Sequence, residues 1–270
     1  MLKKLLLVAV ALFLVGGLTF FVAFAASGFN KNGIAATEIK ENLYEEKIDN
    51  ALTSISIDYA NANIIVSVGE KLTVTYPEHY TKGGNPISRV TLNDNGGKLV
   101  IDEEIDSLKS VGYDLARPTV KITVPSGRAL TLDLETELGD VTLSGINAEK
   151  LHASAENGFI ALNDITSNGI IDLETERGEI EMFGTITATG LEAETGSGDI
   201  SHKDGIITAD KISFSSDVGD VLATLAGKES DYTVLIEKDL GSSNISNSTS
   251  GPRRLEIELD FGSVEIYFEK

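Results

Sequence analysis

A single-stranded β-helix, an all-β solenoid with coils of about twenty residues behind one N-terminal transmembrane helix, is the architecture this sequence predicts. Three observations carry it. A glycine recurs at Gly139, Gly158, Gly178, Gly198, Gly219, Gly241 and Gly262, in steps of 19, 20, 20, 21, 22 and 21 residues. Around each glycine apolar residues alternate with polar ones, as in Leu132, Leu134, Gly139, Val141, Leu143 and again in Ile171, Leu173, Gly178, Ile180, Met182. That period of two belongs to strands, not helices. Finally, Leu5 to Ala26 is a run of 22 residues without a charge.

Residues 1–27 come first. Lys3 and Lys4 precede the apolar run, which is long enough to cross a bilayer. The lysines place the N-terminus in the cytoplasm and everything after Ser27 outside. The run exceeds the usual apolar core of a signal peptide and reads as an uncleaved signal anchor. Ala23-Phe24-Ala25 keeps a second reading open, cleavage and secretion. Residues 28–50 are polar and mixed, a juxtamembrane linker with one helical turn near Glu41 to Ile48.

Residues 51–128 read as an irregular β-region that caps the solenoid, since a stack of coils exposes unpaired backbone at its ends. Ile55, Ile57, Ile64 and Val66 bracket Tyr59 to Asn63, a degenerate coil with asparagine in place of the corner glycine. Lys71 to Tyr76 is a strand stopped by Pro77. Val90 to Leu92 and Leu99 to Ile101 form a hairpin across Asn93 to Gly97. Asp102 to Arg117 is a polar loop, and Val120 to Val124 is a strand ended by Pro125.

Residues 129–270 are the regular repeats. Each copy reads as strand, glycine corner, strand, then a variable turn. The corner selects glycine either through a positive φ or through close approach of the neighbouring coil. Taken in chain order, the weak copy around Gly241 precedes the copy around Gly262, and Val264 to Lys270 is the terminal strand. Seven such coils at ~4.8 Å each make a rod roughly 30 Å long.

Composition narrows the function. There is no Cys, which excludes disulfides, thiolate metal sites and an acylated lipoprotein anchor. Excluding Lys3 and Lys4 leaves 20 basic against 42 acidic side chains, so a basic nucleic-acid-binding surface is not expected. No cofactor fingerprint, P-loop or nucleophile elbow is present.

The residue after the glycine is acidic in four copies, at Asp140, Glu179, Asp199 and Asp220. Stacked coils bring these into one column. Clustered carboxylates favour hard cations, which makes the four candidate calcium ligands. The plainer reading is that they follow a tight corner and point to water. Outward strand positions are acidic too, at Asp133, Glu135, Asp172, Glu174, Glu192, Glu194, Glu256 and Glu258. His152, Ser154, Ser213 and Ser215 interrupt them and relieve like-charge stacking. A polysaccharide-active enzyme needs carboxylates with shifted pKa, beside Arg or aromatic platforms. Arg177 is the one Arg between Arg128 and Arg253, and there is no Trp. His202 occupies an inward column held elsewhere by Leu143, Leu162 and Met182, and reads as a core or rim histidine.

Val120-Lys-Ile-Thr-Val-Pro125, Leu132-x-Leu-x-Thr-x-x-Gly-Asp-Val-x-Leu143 and its echo Leu191-Glu-Ala-Glu-Thr-Gly-Ser-Gly-Asp-Ile200 resemble the bacterial β-strand-repeat family of unknown function called "putative adhesin". That family includes LiaG-like envelope proteins. The resemblance covers residues 51–270 and implies a membrane-anchored extracytoplasmic domain, in some members linked to envelope stress. It supplies no catalytic residues. The expectation is a non-enzymatic binding or scaffolding module whose partners are the membrane, through the N-terminal helix, and an envelope protein or cell-wall polymer. The alternatives are a polysaccharide-active enzyme and a calcium-dependent surface protein.

Overall fold

The computed structural model describes residues 37–46, 51–81, 83–105 and 117–269. The apolar leader and the anchor read from it lie outside these residues. Among the described residues no helix is long and apolar enough to cross a membrane.

The described residues form strands with one helical exception, a 3-10 turn at Glu229–Asp231. The N-terminal part holds β1 (Thr37–Glu45), β2 (Ser54–Tyr59), β3 (Asn63–Gly69), β4 (Thr73–Thr81), β5 (Ser88–Asn95), β6 (Lys98–Ile105) and β7 (Thr119–Pro125). Then follow β8 (Ala129–Leu138), β9 (Val141–Ser144), β10 (Asn147–Asn157), β11 (Ile160–Ser167), β12 (Ile170–Arg177), β13 (Ile180–Thr187), β14 (Gly190–Ser197) and β15 (Ile200–Lys203). The chain closes with β16 (Ile207–Thr208), β17 (Lys211–Val218), β18 (Val221–Ala226), β19 (Tyr232–Leu240), β20 (Ser248–Thr249), β21 (Arg253–Phe261) and β22 (Val264–Glu269).

Strands stack in parallel on two long faces. The first face runs, in space, β6, β2, β8, β10, β12, β14, β17, β21, β19. The second runs β7, β3, β9, β11, β13, β15, β18, β22. The register is set by burial. Leu99, Ile55, Leu132, Leu151, Ile171, Leu191, Ile212, Leu255 and Val234 stand in one column of the first face, and all are buried. A one-residue slip would turn each of them to solvent. The turn expected after each second strand is itself a short third side. There Ala148 pairs with Leu130 and Ser167, Ile186 with Ile165 and Ile207, and Ile207 with Leu225.

Chain order and stacking order differ at both ends. β8 returns to pair with β2, so the coil of β6 and β7 is outermost. At the other end β21 inserts between β17 and β19. The copy around Gly241 therefore ends the first face, through β19, while β22 (Val264–Glu269) ends the second face, where the expected terminal strand stands. A repeat pattern fixes which positions stack but not which neighbour each coil chooses.

The ends are closed by antiparallel strands. β5 covers β6 through a two-residue turn at Gly96 and Gly97, with φ of 56° and 103°, so the expected hairpin is present. The start of β4 covers the middle of β7, and β1 covers β4 along nine residues. Thr37–Glu45 is thus a strand, which corrects the helical turn expected near Glu41 and places structure within the stretch read as a linker. Pro77 does not stop β4. It pairs with Glu41 on one side, while β7 reaches only Thr73 to Thr75 on the other, so no ladder bond is lost. A bidentate pair from Arg128 to Glu46, at 2.5 and 2.7 Å, ties the end of β1 to the stack.

Candidate functional site

The corner glycines form a ladder. A Cβ built on Gly158 would overlap the carbonyl oxygen of Gly139. The same holds for Gly178 over Gly158, Gly198 over Gly178, Gly219 over Gly198, Gly262 over Gly219 and Gly241 over Gly262. Close approach selects glycine here, not a left-handed φ, because Gly158 and Gly219 meet the same overlap without one. The ladder starts on Ala62, whose carbonyl faces Gly139. Ala62 therefore takes the glycine position of the degenerate coil, and Asn63 takes that of the following aspartate, which corrects the asparagine corner.

Two hydroxyl and carboxyl ladders reinforce the corner. Three residues before the glycine, Thr136, Thr175, Thr195 and Ser216 are buried and donate to the carbonyls of Ala62, Gly158, Gly178 and Gly198 at 2.9–3.1 Å. Directly after the glycine, side-chain oxygens accept from the backbone of the next coil. Asn63 takes the N–H of Asp140 at 3.0 Å, Asp140 that of Phe159 at 3.1 Å, Asp199 that of Asp220 at 2.8 Å and Asp220 that of Ser263 at 2.7 Å.

Three of the four candidate cation ligands, Glu179, Asp199 and Asp220, line one groove of about 260 Å³ with Lys203 and Glu265. Asp140 is separated from them by the coil that carries Phe159, which is 41% exposed. The carboxylates of Asp140, Asp199 and Asp220 are each already engaged by a backbone N–H, so at these three positions an oxygen serves the coil contact.

The outward side of the first face carries the densest charge. In register along it stand Asp102, Asp58, Glu135, Ser154, Glu174, Glu194, Ser215, Glu258 and Glu237. Beside them run Ser56, Asp133, His152, Asp172, Glu192, Ser213 and Glu256. Crowding and partial burial raise the pKa of several of these carboxyls. Burial, then Asp102 and Asp133, holds the Asp58 carboxyl above its ordinary range. Burial, then Asp133 and Asp58, does the same to Glu135. Burial, then Glu156 and Asp58, raises Glu137. His152 Nδ1 lies 2.9 Å from Asp172 Oδ2, and Ser56 donates to Asp133 at 3.2 Å. Asp133, Glu135 and His152 each offer a ligand atom within 4.8 Å of one another. Sequence reasoning found most of this face but missed Asp58, Asp102 and Glu237, because the irregular and weak coils hide their register.

The other histidines are internal. His202 is buried with Nε2 2.8 Å from the Gly184 carbonyl, and burial holds its pKa below the ordinary value against that bond and Asp204. His79 Nδ1 lies 3.1 Å from Glu103 Oε1 in a fully buried pair under the N-terminal strands. A second corner was also missed. Gly145, Asp164, Gly184 and Asp204, each six residues after a corner glycine, have φ of 68°, 52°, 68° and 57°. Glycine and aspartate tolerate that left-handed conformation, and the spacing of six was the available signal.

Parallel coils with sealed inward columns and a glycine ladder define a β-solenoid of the stacked-strand class. The chain belongs to the Toastrack DUF4097 family, whose model matches residues 52–256. Comparison with curated proteins finds no match. Among solved structures it is similar to a "putative adhesin" from Bacteroides fragilis, at 14% identity over 85% of this chain and 97% of that one, TM-score 0.40. A "putative cell adhesion protein" from Clostridium sporogenes matches at 13% identity over 86% and 100%, TM-score 0.35. A "putative adhesin" from Parabacteroides distasonis matches at 12% over 85% and 97%, TM-score 0.32.

Proposed function

We propose that this protein is a membrane-anchored, extracytoplasmic β-solenoid that works as an adhesin-like binding or scaffolding module at the bacterial cell envelope, without catalysis of its own. The observation that carries the reading is the first face. Its outward carboxylates repeat at the strand spacing of ~4.8 Å on a support whose coils cannot slip. Such a face complements a partner with repeated positive charge, or an anionic wall polymer bridged by divalent cations. The leader supports the location, since Lys3, Lys4 and the uncharged run Leu5 to Ala26 suit a single span with the C-terminal domain outside. The acidic face would be held off an anionic bilayer and turned to other partners.

A second reading, a calcium-dependent surface protein, is favoured by one observation. The carboxylates of Glu179, Asp199, Asp220 and Glu265 line one groove and offer the oxygen ligands a hard cation takes.

Co-sedimentation of purified residues 28–270 with isolated cell-wall sacculi, with and without calcium, tests both. Pelleting in either condition supports wall binding, and pelleting only with calcium supports the second reading. A domain that stays in the supernatant in both conditions overturns wall binding and directs the search to an envelope protein. Fractionation of cells that express the full chain tests the anchor, and recovery outside the membrane fraction would contradict it.

A further inference from the structure

We propose that the outer edge of β1 takes the same edge of a second copy, in antiparallel register, so that the protein forms a two-fold dimer through its N-terminal strand. β1 is the last strand of the second-face sheet, which runs on from β7 through β4 to β1. Its inner edge pairs with β4 along nine residues, from Thr37 opposite Thr81 to Glu45 opposite Thr73. Among the described residues no strand meets its outer edge. A strand edge left open presents a row of N–H and C=O groups that templates another strand.

The sequence of β1, TEIKENLYE, is self-complementary about its centre. A two-fold axis at Glu41 puts Ile39 opposite Leu43 of the second copy, and Leu43 opposite Ile39. These two side chains are 38% and 60% exposed, and they lie four residues apart, on one side of the strand. In the same register Lys40 meets Asn42, Glu38 meets Tyr44 and Thr37 meets Glu45. The one unfavourable contact is Glu41 against its own counterpart, so the pairing tightens with salt and with Glu41→Gln.

A nine-residue strand pair buries less than the ~1,200–2,000 Å² of a stable soluble interface. Confinement in one membrane therefore favours the dimer, and to that extent the inference rests on the membrane-anchor reading. Ten residues, 27–36, separate the apolar run from β1. They span at most about 35 Å, which holds β1 of every copy in one layer above the bilayer. Copies that share a membrane thus meet edge to edge.

The chain has no Cys, so one introduced thiol reports the register. Directly opposed residues of antiparallel strands have Cα atoms ~4.5–5.5 Å apart, within disulfide range. The full chain carrying Glu41→Cys, treated with mild oxidant in intact cells, is expected to form a disulfide dimer. The yield should exceed that of Glu38→Cys at least about fivefold, because that thiol would lie roughly six residues from its counterpart. Adding Leu43→Lys, at an exposed position, should abolish the product. Equal yields from Glu41→Cys and Glu38→Cys, or no product from Glu41→Cys, would overturn the proposal. Fractionation of the same cells separates the two claims. A membrane-bound chain that does not cross-link sinks the edge pairing alone, and a soluble chain that cross-links through Glu41→Cys upholds the pairing and sinks the anchor. A soluble chain that does not cross-link sinks both.

Discussion

A Cβ placed on Gly178 would lie 1.9 Å from the carbonyl oxygen of Gly158, so any side chain there must push two coils apart. The structure cannot relax locally, because the same contact repeats above and below. Gly178→Ala is therefore expected to cost about 3 kcal/mol, the upper range for overpacking, and to lower Tm by roughly 6–12 °C. Gly83→Ala, whose Cβ meets nothing closer than 3.7 Å, should leave Tm within about 1 °C in the same thermal melt. Thr175 is the matching polar case. Its buried hydroxyl donates to the Gly158 carbonyl at 3.0 Å, so Thr175→Val keeps the shape and loses the bond. Denaturant titration should show a loss of about 1–2 kcal/mol. The hydroxyl ladder has one gap among the middle coils, at Ala155, which stands in register between Thr136 and Thr175.

Each outward strand of the first face brings like charges to its neighbours, and Asp58 on β2 lies between Asp102 on β6 and Glu135 on β8. Its folded pKa is raised above the ordinary 3.8 by burial, Asp102 and Asp133. A carboxyl raised in this way binds its proton more tightly folded than unfolded. It adds stability as pH falls through the window above 3.8 and subtracts it as pH rises. Asp58→Asn should therefore melt above the parent at pH 7, by no more than about 1 kcal/mol in stability. The difference should shrink as pH falls and vanish below 3.8, where the carboxyl is protonated in both states. A melt series in which the variant is less stable at pH 7 would contradict the crowding. The regular strands were legible because Leu132, Leu134 and Gly139 recur at fixed spacing in all copies. β1 was not, because TEIKENLYE mixes charges with few apolar residues and is held by β4 and the Arg128–Glu46 pair rather than by its own pattern. The inverted order of the last coils was equally hidden, since the copies around Gly241 and Gly262 present the same template. The acidic columns of the face were readable, whereas the backbone N–H groups that occupy Asp140, Asp199 and Asp220 could be seen only once coils were stacked.

The molecule as a whole is a stack of interchangeable middle coils between two specialised ends. Nine strands on the first face make it roughly 40 Å long at strand spacing. Removing residues 159–178 deletes one full repeat and joins Gly158 to Glu179. β13 can then stack on β9, β14 on β10, and Gly198 on Gly158. Circular dichroism should show the same sheet spectrum and one cooperative melt at a lower Tm, because each coil contributes an interface with its neighbours. Loss of the sheet signal would show that the coils are not equivalent. The function proposed for this stack rests on its acidic face, and that dependence is open to direct measurement. Sacculus co-sedimentation of the domain would be compared with that of Asp172→Asn, Glu174→Gln, Glu192→Gln and Glu194→Gln combined, and with Glu181→Gln and Glu265→Gln on the second face as control. Pelleting is expected to fall for the first-face variant and to persist for the control. Undiminished pelleting of the first-face variant would contradict that dependence.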